Sequence, residues 1–432
     1  MIDFFTLLRF QGYPVKRAFD VWEEISAVDD LFEWQLMRRD ELVMHLFEQN
    51  ASYRNLAQGY NGQWDKLPVL TKEIIKQSQL TEAMSHGKRH KIFYGSTSGS
   101  SGRPFVFEKD GLTHCLTWLL VKDRYARMGV GLNDCQARFY GAPLSLMGRW
   151  YERTKDYVGH RFRFPVLDLS DAALRKWLDI FKGHQFKYIY GYSYPLIVFA
   201  RFLHQQGIVL ADISPSLNAC ILTAEMCSPD ERVLIERALG VSVANEYGTS
   251  ELGIVGFSSD YEWMLSDELL YTEVVDDDGV VLQNGELGNI VCTSLFNRGT
   301  PFIRYQTGDF GAIVQKNGRR YLTGLMGRRE DLAVLPSGRL APGDTVFYYV
   351  FKDFATRFDV IQEYKVIQKR KDLFEIQYVG GRDLNGRELR ALEQFCSVSL
   401  ERGLTLVPVR MQVLDRTRMG KFRRFISEVK FV

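Results

Sequence analysis

The chain has 432 residues, 46% apolar and 25% charged, with 55 basic against 53 acidic side chains and a formal charge of +2. These proportions argue against a disordered segment, a collagen-like fibre or a coiled coil. The near-neutral balance argues against a surface built to neutralise many phosphates, and the length predicts more than one core.

The N-terminal run MIDFFTLLRF lacks a basic region and a small-residue cleavage site, so no signal peptide is expected. No stretch approaches 18 uncharged apolar residues, so no membrane span is expected. Residues 13–60 show apolar positions recurring at three and four, such as Leu31, Trp34, Leu42 and Leu46, which predicts helix. Thr71, after Leu67-Pro-Val-Leu, reads as the cap of a further helix.

Residues 105–250 alternate short strands (137–141, 188–190, 219–223, 242–245) with helical stretches (113–128, 171–182, 194–207, 229–239). This alternation predicts βα units and a mostly parallel sheet. From about 261, strand-like runs at 270–275, 280–282 and 288–294 are separated by Asp-Asp-Asp-Gly and Gln-Asn-Gly turns, which predicts antiparallel hairpins. Beyond Gly327, strands at 362–368, 373–378 and 406–413 surround helices near 345–356 and 384–400. The expected fold class is α/β: a large N-terminal domain of βα units and mixed sheets over 1–326, and a small mobile α+β lid over 327–432, hinged near 326–331.

The six cysteines (115, 135, 220, 227, 292 and 396) form no CxxC pair, so a disulfide framework or zinc ribbon is not expected. Reduced thiols in a cytoplasmic protein are the reading. His86-Gly-Lys-Arg-His90 has helical ligand spacing, but its glycine and cationic neighbours favour a surface loop over zinc. Asp276-Asp-Asp-Gly279 reads as a hairpin turn rather than a calcium loop. The aromatics Trp118, Tyr140, Trp150, Tyr190, Tyr192 and Tyr194 fit either core packing or an acyl or aryl pocket.

The most informative stretch is Ser96-Thr97-Ser98-Gly99-Ser100-Ser101-Gly102-Arg103-Pro104. Its glycines let backbone N–H groups approach an anion closely, and its hydroxyls add donors. Read alone it is either a phosphate clamp or a Gly/Ser linker. It is not a P-loop, because Gly102 is followed by Arg103-Pro104 rather than Lys-Ser/Thr, and neither a GxGxxG nor a GxSxG motif is present.

This run resembles the phosphate-binding loop of the adenylate-forming enzymes, the superfamily of acyl-CoA synthetases, luciferases and peptide-synthetase adenylation domains. Four further segments, and a hinge motif between the third and fourth of them, occur in that family's order. Thr223-Ala224-Glu225 resembles the GAE segment at the adenine, with Thr in place of Gly. Asn245-Glu246-Tyr247-Gly248-Thr249-Ser250-Glu251 resembles YGxTE. By resemblance Tyr247 packs on adenine, with Glu246 and Gly248 beside it, Ser250 lies near the phosphates, and Glu251 helps hold Mg²⁺. Arg304-Tyr305-Gln306-Thr307-Gly308-Asp309 is similar to YRTGD, whose Asp accepts from both ribose hydroxyls. Gly327-Arg328-Arg329-Glu330-Asp331 follows it and resembles the hinge motif, with Arg328 on ribose or phosphate and Glu330 as the swivel. Finally Arg418-Met-Gly420-Lys421 resembles the C-terminal glycine–lysine motif, whose Lys reaches the substrate carboxylate and α-phosphate.

Within the superfamily the resemblance is to the phenylacetate–CoA ligase and capsule-biosynthesis type, over roughly 40–432. It implies ATP and Mg²⁺ as cofactors, coenzyme A as a candidate acceptor, and activation of a carboxylic acid as acyl-AMP. Transfer to a thiol is the leading outcome; an amine acceptor, AMP transfer to a hydroxyl, or a non-catalytic scaffold are the alternatives. Partners would be small molecules, with no nucleic acid, and a homodimer is left open. Lys72 reads equally as a phosphate contact or as a helix-start lysine.

Overall fold

The computed structural model describes residues 3–58, 60, 62–78, 80, 91–96, 105–140, 146–166, 168–259, 262–328, 332–355, 357–414 and 424–429. The chain forms two compact units, 1–307 with 311–324, and 308–310 with 325–432.

The strands up to residue 328, in chain order, are β1 (Ile92–Ser96), β2 (Val106–Asp110), β3 (Gln136–Phe139), β4 (Arg161–Phe164), β5 (Tyr188–Tyr192), β6 (Ala219–Thr223), β7 (Ser242–Thr249), β8 (Gly253–Ser258), β9 (Trp263–Leu265), β10 (Leu270–Val275), β11 (Gly288–Ser294), β12 (Tyr305–Lys316) and β13 (Arg319–Arg328). Strands β1 and β2 form an antiparallel pair on either side of the Ser/Gly run. The other eleven form one sheet in the order β10-β11-β12-β13-β9-β8-β7-β6-β5-β3-β4. From β4 to β7 neighbours are parallel, and β7–β8, β8–β9, β13–β9 and β10–β11 are antiparallel. The mostly parallel sheet expected from the βα alternation is therefore only the β4–β7 part of a mixed sheet.

The parallel half is built from cleanly delimited helices. Pro229–Leu239 begins with a Ser228/Glu231 capping box and Pro at its first position, and stops at Gly240 in the left-handed conformation. Asp110 caps Gly111–Ala126 through the Thr113 amide, and Ser170 caps Asp171–Gly183. One sheet face, carrying Phe139, Phe164, Ile189 and Leu222, packs with Trp177, Phe181, Phe186 and Phe199 into the main core. Trp177 meets Phe139 edge-on at 5.0 Å between centroids. The opposite face is lined by polar and aromatic residues and receives Tyr125 from helix Gly111–Ala126.

At the N-terminus the helical reading of 13–60 resolves into Val15–Ser26, Leu31–Gln49 and Ala51–Leu56, preceded by Phe4–Phe10. The break falls where Asp30 caps the third helix of the chain. The strand expected at 280–282 is a single bridge, Val275 to Val281. Val280 and Val281 are 57% and 46% exposed, so no burial drives a full strand there. Asp276 accepts from the Asp278 and Val280 amides, making the expected turn. The six cysteines are free thiols. Among the described residues no helix is long and apolar enough to cross a membrane.

The second unit holds β14 (Leu332–Val334), β15 (Leu340–Pro342), β16 (Glu363–Arg370), β17 (Leu373–Val379), β18 (Thr405–Met411) and β19 (Phe425–Ser427). The last four form a sheet in the order β18-β17-β16-β19. Helices Gly343–Ala355 and Gly386–Ser399 pack on it through Phe347, Phe351, Leu392 and Cys396, against Val366, Phe374 and Phe425. An added Cβ on Gly343 would lie 2.4 Å from the Phe425 ring, so a glycine is required at that helix start.

Trp177→Ala empties the centre of the main core. It is expected to lower the unfolding free energy by about 3–5 kcal/mol, read from the urea midpoint at unchanged slope.

Candidate active site

The segment from Asn245 to Glu251 occupies the end of β7 and the turn into β8, where the sheet changes from parallel to antiparallel pairing. The β7–β8 register shifts between Tyr247 and Gly248. A Cβ on Gly248 would stand 2.2 Å from the Gly253 carbonyl oxygen, so only glycine allows the strands this close. Thr249 Oγ1 accepts from the Leu252 amide at 3.1 Å and tightens the turn. The result is that Ser250 is exposed while Glu251 turns inward, its residue 2% exposed.

A buried carboxylate needs partners. Tyr305 donates its hydroxyl to Glu251 Oε1 at 2.8 Å, and the Lys72 ammonium stands 3.0 Å from the same oxygen. Lys72 is held there by an ordered approach. Leu70 pairs with Tyr305 through Leu70 N to Arg304 O and Gln306 N to Leu70 O, both at 2.9 Å. Arg304 itself is buried, with φ +44°, and its guanidinium donates to the carbonyls of Leu67 and Gly279 at 2.7 and 2.6 Å. Thr71 Oγ1 then accepts from the Ile74 amide, as expected of a cap. Arg304 is thus a brace for the chain, and the place of the motif's own arginine is taken by Gln306.

A second ammonium approaches from β2. Burial pushes the Lys109 pKa down to about 8, while the Glu251 charge opposes that shift. His114 stacks on Phe93 at 4.3 Å, and burial, reinforced by Lys109, pushes its imidazole down to about 4.

The other described candidate residues lie on β6, β7 and β12 or directly after them. Thr223 ends β6 and Ala224 adopts φ +65°, a left-handed turn that glycine would take more easily. The Glu225 carboxylate accepts from the Tyr194 amide at 2.9 Å, capping helix Ser193–Gln205, and its carbonyl accepts from Ser193 Oγ at 3.1 Å. Its side chain is therefore committed to the helix start, leaving backbone as its ligand-facing part. Tyr247 points its hydroxyl to Thr307 Oγ1 at 3.3 Å and meets Trp263 edge-on. Glu246 faces elsewhere, accepting from the Tyr125 hydroxyl at 2.9 Å and the Tyr190 hydroxyl at 3.2 Å. Burial pushes the Glu246 carboxyl up; the hydroxyls of Tyr125, Tyr190 and Thr223 pull it back. Asp309 is half-buried on β12, directly after Gly308, whose φ is +87°.

The loop Thr97, Ser98, Gly99, Ser100, Ser101, Gly102, the swivel Glu330 and Lys421 lie outside the described residues, as do His86 and His90. For Arg328 and Trp150 only the backbone elements are described. Among the described residues, Thr223 to Glu225 and Glu246 to Glu251 come together on adjoining strands. Lys109 carries no signal that sequence reading used, since it is not a motif position; Tyr305 opens the YRTGD-like segment but has no role of its own there, and Lys72 reads equally as a phosphate contact or a helix-start lysine. Among the described residues no group of three or more His, Cys, Asp or Glu could hold a metal. The Glu251 carboxylate offers a hard oxygen, which suits Mg²⁺ bound by one carboxylate together with phosphates.

No family model matches the chain. It is 24% identical to phenylacetate-coenzyme A ligase of Pseudomonas putida over 74% of this chain and 75% of that protein. It is 24% identical to indoleacetate–lysine synthetase of Pseudomonas savastanoi over 49% of this chain and 51% of that protein, and 22% identical to protein CapK of Staphylococcus aureus over 68% and 66%. Among solved structures, 2-hydroxyisobutyryl-CoA ligase in the postadenylation state with R3-HIB-AMP matches at a TM-score of 0.64 and 17% identity, over 91% of this chain and 89% of that one. The chain has the fold of the adenylate-forming ligases, and its sequence resembles their phenylacetate–CoA ligase and CapK branch.

The His114 shift has a stability consequence. Between pH 6.5 and about 4 the unfolded chain binds a proton that the folded chain refuses, so stability falls as pH drops through this window. His114→Phe, which keeps the stack on Phe93, is expected to flatten that acid limb in thermal melts taken from pH 4 to 7.

Proposed function

We propose that this protein activates a carboxylic acid with Mg·ATP as an acyl-adenylate and then transfers the acyl group to a thiol, with coenzyme A as the acceptor. The observation that carries this reading is the inward-turned Glu251, held beside two ammonium groups at the end of β7, within a chain that carries all five family motifs in order.

In the first step a carboxylate oxygen of the acid attacks the α-phosphorus, the bond to the β-phosphate oxygen breaks, and pyrophosphate leaves. Thr97 to Gly102, with Ser250, cradle the departing phosphates through backbone N–H and hydroxyl donors. Glu251 is the residue that would hold Mg²⁺, which when bound neutralises charge on the leaving phosphates. Lys72, 3.0 Å from Glu251, would pair with a phosphate oxygen. The backbone of Thr223 to Glu225 and the ring of Tyr247, with Gly248, flank adenine. Asp309 accepts from the two ribose hydroxyls, which need an ionised two-oxygen acceptor, and Arg328 pairs with ribose or phosphate. By its resemblance to the glycine–lysine motif, Lys421 would pair with the substrate carboxylate and the α-phosphate, where charge gathers in the transition state. No protein nucleophile is required; positioning and electrostatics supply the acceleration.

In the second step residues 327–432 rotate about Glu330 as a lid. The acceptor sulfur attacks the acyl carbon, AMP leaves, and the thiol proton passes to solvent. An amine acceptor is the second reading, favoured by the likeness to indoleacetate–lysine synthetase. The free cysteines fit a reducing, cytoplasmic setting.

Pyrophosphate release across a panel of carboxylic acids, with and without coenzyme A, tests this reading. Acid-dependent release with thioester formation is expected. Hydroxamate trapping with no effect of coenzyme A would favour the amine acceptor, and no release with any acid would sink acid activation. Lys421→Ala is expected to slow adenylation by about 10² while thiolysis of supplied acyl-AMP suffers less; equal losses would remove Lys421 from the first step. Glu251→Gln is expected to raise the Mg²⁺ concentration needed for half-maximal pyrophosphate release by about tenfold.

A further inference from the structure

Glu246 is a carboxylate that the proposed mechanism leaves unused. Neighbouring side chains of a strand point to opposite faces, and the contacts of β7 follow that rule. Tyr247 turns toward Thr307 and Trp263, and Glu246 toward Tyr125 and Tyr190. A ligand stacked on Tyr247 is therefore on the wrong side of β7 for Glu246, which moves this residue off the adenine surface.

The other side is a built polar and aromatic site at the C-terminal ends of parallel strands, where ligands of α/β sheets characteristically bind. Thr223 stands at the register position next to Glu246, and Arg138 at that next to Tyr190. The Arg138 guanidinium lies 4.7 Å from the Tyr140 ring centroid and 4.9 Å from that of Tyr190. Arg138, Tyr140, Tyr190, Thr223 and Glu246 are each partly exposed, so the cluster presents a surface rather than a closed core. An apolar residue in place of Glu246 would pack there without the desolvation penalty of a carboxylate. Three hydroxyls, from Tyr125, Tyr190 and Thr223, occupy three of about four acceptor positions on that carboxylate, leaving room for one more donor.

We infer that this cluster belongs to the acid pocket and selects an aromatic carboxylic acid bearing a ring hydroxyl, which donates to Glu246. The inference rests on the acid-activating reading above. Flat tyrosine faces and a stacked guanidinium suit an aromatic ring. A hydroxyl fits better than an amino group, because it donates to Glu246 and still accepts from Arg138. A second carboxylate on the substrate would face Glu246 as like charge.

The test compares pyrophosphate release with phenylacetate, its ring-hydroxylated isomers, and its amino- and carboxy-substituted analogues. A hydroxylated isomer is expected to exceed phenylacetate in kcat/KM by about 10- to 100-fold. Glu246→Leu is expected to bring that ratio near unity while retaining thermal stabilisation by ATP. Should Glu246→Leu fail to fold, Glu246→Gln keeps the shape with a weaker acceptor, and the ratio must then fall several-fold. Preference for the unsubstituted, amino- or carboxy-substituted acid, or a ratio unchanged in the variants, overturns the hydroxyl assignment and leaves acid activation standing. No release with any acid overturns both.

Discussion

A carboxylate placed out of water must be matched by donors, and the first unit is organised around that requirement at Glu251. Its two contacts come from far-apart segments, the Tyr305 hydroxyl at the start of β12 and the Lys72 ammonium at the start of a short helix. The brace from Arg304 to Leu67 and Gly279, and the bridge between Leu70 and Tyr305, exist at the level that sets those two donors in place. Removing one partner of such a buried pair is more damaging than the pair is stabilising, because the remaining charge is left unmatched.

The sheet divides its labour by face and by pairing sense. One face is apolar and joins Trp177 and the surrounding phenylalanines in a core that fixes the parallel strands. The other carries Arg138, Tyr190 and Glu246. At β7 parallel pairing on one side meets antiparallel pairing on the other, and the strand carries most of the Asn245–Glu251 segment. Gly248 is what lets β7 and β8 approach closely where their register shifts.

Local signals in the sequence carried much of this. Strands β6, β10 and β11 lie where the apolar runs and turn residues put them, because each is buried along its length. The helix Pro229–Leu239 is equally legible, since its capping box and terminal glycine are local signals. Strands β1, β2, β4, β8, β9, β12 to β15 and β19 escaped the reading. β12 holds Gly308 and Gly311 among polar residues, and its strand character comes from long-range pairing rather than from composition. The candidate site was legible as motifs, with spacing and order, but not as geometry. No sequence pattern announces that Arg304 braces the chain, that Glu225 caps a helix, or that Glu246 and Tyr247 part company. Those facts depend on which strand lies beside which.

The cysteines acquire a meaning in this setting. An acyl-adenylate is an electrophile, and any reactive thiol near it competes with the intended acceptor. Burial pushes the thiols of Cys115 and Cys396 up to about 12, and that of Cys220 well above its ordinary value. Thiolate is the nucleophilic form, so these groups are withheld from reaction at neutral pH. A protein that makes such an intermediate can thus carry sulfur throughout its core and still be protected against acylating itself.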